Sequence, residues 1–309
     1  VPVNADNLVK ISSFTQAKKA CELIAKRALL ARKKVYYRNN YESLVLPWVS
    51  GRTNLTWGEA ATRKHSSTEE VLVLRHDVDH DFETALKMGA WEHERGLRAT
   101  YCILHTAWYY GKFSQDGKIT RHAEMLDCCK ELQSMGHEIN LHNNFIVESL
   151  RTGFNPLDMM RCELAFMKWN GINIIGSSTH GDGLCRDLEF RNYEIFSESV
   201  YPARGGPRTI EKDGHRVDIG YTSMETLQLD YEAYDLPRDH YITDSGGNLR
   251  VRKNTRGRAG LRRKDLPNPP KYKKVVGILT HPVWWNFDAD APPNCKYVTN
   301  LPEEIEPPV

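Results

Sequence analysis

The sequence has no long apolar run, no paired cysteine motif and almost no net charge, and each absence removes a class of protein. No stretch approaches the ~20 apolar residues that a bilayer crossing needs, and no basic start precedes an apolar leader, so a soluble cytoplasmic protein is the expectation. The seven cysteines (Cys21, Cys102, Cys128, Cys129, Cys162, Cys185 and Cys295) are odd in number and contain no Cys-x-x-Cys. They read as free thiols in a reducing compartment, packed as small apolar groups. Forty-two basic against 40 acidic residues leave a formal charge of +2, so no global field calls for nucleic acid or an acidic membrane as partner. With 40% hydrophobic and 27% charged residues in 309, the chain has the composition of a folded protein, one large α/β domain with an N-terminal extension.

Residues 14–34 place Phe14, Ala17, Cys21, Ile24, Ala25, Ala28 and Leu29 at helical spacing among lysines and arginines. This predicts an amphipathic helix whose basic face is solvated. Residues 35–65 are aromatic and polar with weak periodicity and are expected to be irregular. Together, residues 1–65 form the extension and 66–300 the main domain.

From about residue 70 the pattern becomes regular. An apolar run, VLVL, meets the charged RHDVDHD, and a helical FETALKMGAWEHERG closes on Gly96. The unit recurs: ATYCIL (99–104) as a strand, 120–135 as a helix, HEINLH (137–142) as a strand, 156–170 as a helix, and INIIGSS (172–178) as a fourth strand. HRVDIGY (215–221), HYITD (240–244) and VVGILT (275–280) are further candidates. Strands alternating with helices imply right-handed crossovers and a parallel sheet, open or closed into a barrel. Residues 249–274 are rich in Lys, Arg, Gly and Pro and read as a basic insertion loop, suited to a polyanion such as an acidic polysaccharide or a sugar-phosphate carrier.

Charged groups gather at the ends of these strands: Arg75 to Asp81, His142-Asn143-Asn144, Thr179 to Asp182, Asp244-Ser245 and His281-Pro282. In a parallel α/β sheet those ends share one face, where sites are built. Asp and His are the ligands that hold a borderline divalent ion such as Zn²⁺ while leaving a position for water. Alternate residues leaving a strand point the same way, so Asp77 and Asp79 can share one site, one ligating and the other taking a proton. Asp81 is placed as the N-cap of the helix that follows. His142 and His281 each end a strand facing the site, whereas His137 is expected to hydrogen-bond where its helix turns into the strand. Trp284 and Trp285 offer flat faces suited to sugar rings.

RHDVD after a strand, GHEINLH, STHGD, YITDSGG and LTHPVWW, in that order over residues 70–290, resemble the NodB-homology polysaccharide deacetylases and, more narrowly, their WbmS-like branch, associated with surface-polysaccharide loci. The resemblance implies a distorted (β/α)7 barrel, one divalent metal, usually Zn²⁺, and hydrolysis of an N-acetyl or similar amide on a carbohydrate. It places the general base at Asp77, the metal-binding aspartate at Asp79, the first metal histidine at His142 and the general acid at His281. The remaining substrate contacts are assigned to His76, Asn144, Asp182, Asp244, Trp284 and Trp285.

Two departures stand out. Ile146 occupies the place of the second histidine in the usual His-x-x-x-His, and Ser178-Thr179-His180-Gly181-Asp182 replaces the usual Arg-x-Pro-x-Gly. The third ligand is assigned to His180, which ends the strand following the one that ends at His142. Strands lie about 4.8 Å apart, a separation two imidazoles converging on one ion can span. A ring-opening amidase on the same barrel and a degenerate glycan-binding barrel are the competing readings.

Overall fold

The structure, a computed structural model, describes residues 35–62, 68–113, 119–200, 206–236, 238–255 and 272–290. The helix expected at 14–34 and residues 256–271 of the basic stretch lie outside them. Residues 35–65, expected to be irregular, are largely ordered: β1 (Tyr36–Tyr37), α1 (Arg38–Val49), β2 (Thr53–Leu55) and α2 (Trp57–Thr62) follow one another. Tyr41, Leu44, Val45 and Trp48 recur at helical spacing along α1 and are all buried. Helix formation here follows from burying that stripe, even with Pro47 inside the last turns.

The regular part runs β3 (Glu70–Val78), α3 (Phe82–Glu94), β4 (Ala99–Leu104), β5 (Gly111–Phe113), β6 (Ile119–Arg121), α4 (Ala123–Ser134), β7 (Glu138–Asn143), α5 (Phe145–Thr152), α6 (Pro156–Trp169), β8 (Gly176–Thr179) and α7 (Gly183–Asp187). A hairpin of β9 (Arg208–Lys212) and β10 (His215–Ile219) comes next. It is followed by β11 (Tyr231–Glu232), β12 (Arg238–Thr243), β13 (Arg250–Thr255), β14 (Lys274–Thr280) and β15 (Trp285–Asn286), which pairs with β1.

The main sheet is ordered β11-β8-β7-β4-β3-β14-β12-β13, with β2 also paired to β3, and it curls into a half-barrel. All its ladders are parallel except that between β12 and β13. Among the described residues no ladder joins β11 to β13. The fold is therefore mixed α/β with the C-terminal ends of β3, β4, β7, β8, β12 and β14 on one rim.

Central β3 shows why the sheet has two covered faces. Val71, Leu72, Val73 and Leu74 are all fully buried. Leu72 and Leu74 belong to the cluster under the helices, while Val71 and Val73 pack inside the curl with Leu55, Trp57, Tyr231 and Leu279. A continuous apolar run is what a parallel strand covered on both faces requires.

Local signals fix the ends of the elements. Asp81 caps α3 as expected, its Oδ1 accepting from the Thr84 N–H at 2.9 Å. Asn155 does the same for α6, with Pro156 in its first turn. His137 Nδ1 accepts from the Ala99 N–H at 3.1 Å and its Nε2 bonds the Gly89 carbonyl at 3.0 Å, so it ties α3 to the start of β4 rather than its own helix to its own strand.

Three strand expectations change. HRVDIGY lies in the β9–β10 hairpin, outside the main sheet. Its turn, Asp213-Gly214, has φ of 50° and 82°, the two left-handed residues of a two-residue hairpin. The fourth strand begins only at Gly176, where a side chain would meet the Tyr231 ring within 2.2 Å, so only glycine lets β11 close against β8. In the basic stretch, Arg250–Thr255 is strand, not loop, since it completes a ladder with β12. No helix among the described residues is long and apolar enough to cross a membrane.

Candidate metal centre

The rim holds Asp79, His142 and His180 with one donor atom each facing a common point. His142 ends β7, and its Nδ1 donates to the Ser178 carbonyl at 2.9 Å. That bond leaves Nε2 facing the site, the second-partner arrangement common to metal-ligating histidines. His180 follows β8 and is seated by its own N–H, which donates to the Asn143 carbonyl at 2.9 Å. Asp79 leaves β3 in a tight turn, its N–H donating to the Asp77 carbonyl at 3.0 Å.

The three donor atoms form a near-equilateral triangle. His180 Nδ1 lies 3.2 Å from His142 Nε2, His142 Nε2 lies 3.3 Å from Asp79 Oδ1, and His180 Nδ1 lies 3.4 Å from Asp79 Oδ1. Ligands about 2.0–2.1 Å from a tetrahedral ion are about 3.3 Å apart, so the triangle matches one face of such a coordination shell. Asp79 Oδ1 is buried without a hydrogen-bond partner. Two basic nitrogens and a carboxylate oxygen crowded this closely are compatible when a cation lies among them. The residues present fit a divalent metal.

Compared with family models, curated proteins and solved structures, the chain matches none.

Electrostatics supports the same centre. Burial pushes the Asp79 carboxyl up, but His142 and His180 beside it hold it well below the usual carboxylate range. Burial lowers the His180 imidazole, and Asp79 more than reverses this, leaving it raised. Ile146, where a second histidine is usual in the resembled family, is fully buried in α5. His180 comes from the neighbouring strand instead.

Beside the triangle stand Asp77 and His281. Alternation along β3 turns Arg75 and Asp77 into the curl and His76 to the helix side. Arg75 Nε and Nη2 donate to the two Asp77 oxygens at 2.7 and 2.6 Å, and both side chains are buried. Burial pushes the Asp77 carboxyl up, and the Arg75 guanidinium, with His142 and His281, pulls it down to about 2. His281 Nε2 lies 3.9 Å from Asp77 Oδ2 and 4.0 Å from Asp79 Oδ2.

Five of the six residues assigned to substrate are otherwise engaged. His76 faces away from the site, bonding Glu92 Oε1 at 2.8 Å and Thr280 Oγ1 at 2.7 Å in a buried cluster with Tyr41 and Tyr101. Asn144 is buried, bridging Asn192 and Thr106. Asp182 caps α7 and pairs with Arg151. Trp285 is buried against Tyr36 and Tyr41 and donates its Nε1–H to Asp244 at 2.7 Å. Asp244 is fully buried and orients His281, accepting its backbone N–H at 2.9 Å and its Nδ1–H at 2.5 Å. Trp284 is half-exposed, its ring against Gly247. The sequence reading overlooked two roles, Arg75 as the partner of Asp77 and Asp244 as the partner of His281. Arg75 was visible in the same alternation that linked Asp77 to Asp79.

The Asp244–His281 pair sets a pH dependence. Burial lowers the His281 imidazole, but Asp244, and then Asp79 and Asp77, raise it to about 9. The folded value exceeds the ordinary 6.5, so its contribution to stability is complete below pH about 6.5 and is lost as pH rises through about 9. In the metal-free protein the His281 ring resonances are expected to titrate near 9 by NMR, and Asp244→Asn should bring the midpoint toward 6.5. An unshifted midpoint in the parent would show that the pair is not formed.

Proposed function

We propose that this chain is a metal-dependent hydrolase that removes an acyl group, N-acetyl by preference, from a sugar or surface-polysaccharide precursor. It is read as a NodB-homology deacetylase of the WbmS-like branch, with the half-barrel as its form of the distorted (β/α)7 barrel. The observation that carries the reading is the Asp79–His142–His180 triangle flanked by Asp77, whose Oδ2 is 3.6 Å from His142 Nε2, and by His281, whose Nε2 is 4.0 Å from Asp79 Oδ2.

A divalent ion held by the three ligands, Zn²⁺ by donor type, supplies a Lewis acid and brings the ionisation of water toward neutral pH. The chain's own residues do the rest. Asp77, kept ionised by Arg75, takes the proton of the attacking water through Oδ2. His281, which holds its proton at neutral pH, delivers it from Nε2 to the nitrogen of the leaving amine. The C–N bond breaks, and the products are a carboxylic acid and an amine. Asp244 fixes the ring that makes this transfer. Trp284 offers the flat face at the rim for a sugar ring.

The test is metal analysis of protein purified without chelator, followed by acetate release from N-acetylated sugar nucleotides and oligosaccharides. One equivalent of metal and release of acetate are expected. Asp77→Asn should retain metal while turnover falls by about 10²–10⁴, and Asp79→Asn should lose metal. A parent protein that binds no metal and releases no acetate overturns the reading. Equal loss of metal in both variants overturns the division of roles between the two aspartates.

A further inference from the structure

The metal triangle has a near neighbour that is not part of it. Asp77 Oδ2 is 3.6 Å from His142 Nε2, only 0.3 Å longer than the 3.3 Å between His142 Nε2 and Asp79 Oδ1. Yet Asp77 stands outside the set of donors that share one centre. A carboxylate this close to a divalent ion is a natural fourth ligand. Four protein ligands make a closed structural site, whereas a reactive one keeps a position open.

Arg75 explains why Asp77 stays out. Its guanidinium takes both Asp77 oxygens in a two-bond fork, at 2.7 and 2.6 Å. The fork and the carboxylate sit two residues apart on one strand. That strand is pinned on both sides, by β14 through Leu279↔Arg75 and Thr280↔His76 and by β4 through Arg75↔Thr100 and Asp77↔Cys102. Neither backbone can shift to release the pair. The guanidinium itself is fully buried, with its carbon 5.6 Å from the Trp57 ring and 5.4 Å from that of Tyr234. Arginine keeps its charge at every working pH and matches a carboxylate with a rigid planar fork, so the restraint is permanent. A lysine could hold one oxygen and leave the other to swing.

We infer that Arg75 is a positioning residue that withholds Asp77 from the metal, so that the centre keeps three protein ligands and an open position. The inference rests on the metal-centre reading above. It differs from a purely structural role in the sign of its consequence, because removing Arg75 tightens metal binding.

The experiment is titration of Zn²⁺ and Co²⁺ into metal-free parent, Arg75→Met, Asp77→Asn and the double variant, with the visible spectrum of the Co²⁺ forms recorded. Arg75→Met should bind by about tenfold or more tighter, the scale on which changes around a metal site move affinity. Its Co²⁺ spectrum should change as a ligand is added, and adding Asp77→Asn should reverse both effects. Should Arg75→Met fail to fold without metal, Arg75→Lys is expected to show the same tightening to a smaller degree. Unchanged or weaker binding in a folded variant overturns the inference. So does tighter binding with an unchanged Co²⁺ spectrum, which marks a change of field alone. A parent that binds neither ion overturns the metal centre instead.

Discussion

Replacing His180 with alanine is expected to lower Zn²⁺ affinity by more than about 100-fold, beyond the 10- to 100-fold that losing an outer partner of a ligand costs. The variant removes one corner of a triangle whose sides are 3.2, 3.3 and 3.4 Å, leaving one imidazole and one carboxylate. Ile146 has no donor to replace it, and Asp77 is held in the Arg75 fork. The fold should survive, because the bond that seats residue 180 runs through its backbone N–H to Asn143 and the side chain sits on the rim. Competition with a chromogenic chelator measures the change, with thermal melting as the control for folding. Parent-like affinity in a folded His180→Ala would remove His180 from the centre. Binding also has a definite pH direction. Asp79 raises the His180 imidazole above its ordinary value despite burial, so protons compete with the metal for that ring, and affinity should climb as pH rises.

How much of this was legible in the sequence depends on the range of the interaction concerned. Strand-helix alternation from residue 70 is a local signal, and it sufficed to place the ends of β3, β7, β8, β12 and β14 on one rim. That placement is what makes His180 a partner for His142, although 38 residues separate them. Whether a rim side chain is available is another matter, because it depends on partners the pattern does not reveal. Asp244 looks like a free carboxylate at a strand end until Trp285, 41 residues on, and His281 are brought onto it. Asp182 and Asn144 are consumed in the same way by Arg151 and Asn192. His76 was open to better reading, since the alternation that joins Asp77 to Asp79 sends it to the opposite face.

Residues 35–62 were misread for a different reason. The helical stripe Tyr41, Leu44, Val45 and Trp48 is present, but Pro47 and the dense aromatics obscure it. The two- and three-residue strands around it have no periodicity of their own and exist because β2 pairs with β3 and β1 with β15. Residues 53–55 supply a strand beside β3, and Tyr41, Leu44, Trp48 and Trp57 join the buried clusters on the two faces of the sheet.

The largest stability effect follows from that. Trp57 opens α2 and is fully buried inside the curl. Its backbone N–H donates to Thr100 Oγ1 at 2.7 Å and its indole to the Ala233 carbonyl at 2.9 Å. The neighbouring Gly58 N–H donates to Glu138 Oε2 at 2.9 Å, and Glu138 also accepts from Tyr231 at 2.6 Å. The ring therefore sits at the junction of β4, β7, β11 and α2, with the Arg75 and Arg238 guanidinium carbons 5.6 and 5.5 Å from it. Trp57→Ala should cost about 3–5 kcal/mol, the range for truncating a buried large aromatic, and the Ala233 carbonyl loses its donor as well. Against a total stability of about 5–15 kcal/mol this brings the chain close to unfolding. Trp57→Phe keeps most of the ring and should lose only about 1–3 kcal/mol, for the unpaired carbonyl. Chain starting at residue 66, lacking α1, β2 and α2 together, should not fold at all. Urea unfolding of the two point variants and the circular dichroism of the truncated chain measure these effects. An alanine variant within about 1 kcal/mol of the parent, where exposed substitutions fall, would mean that the segment merely rests on the sheet.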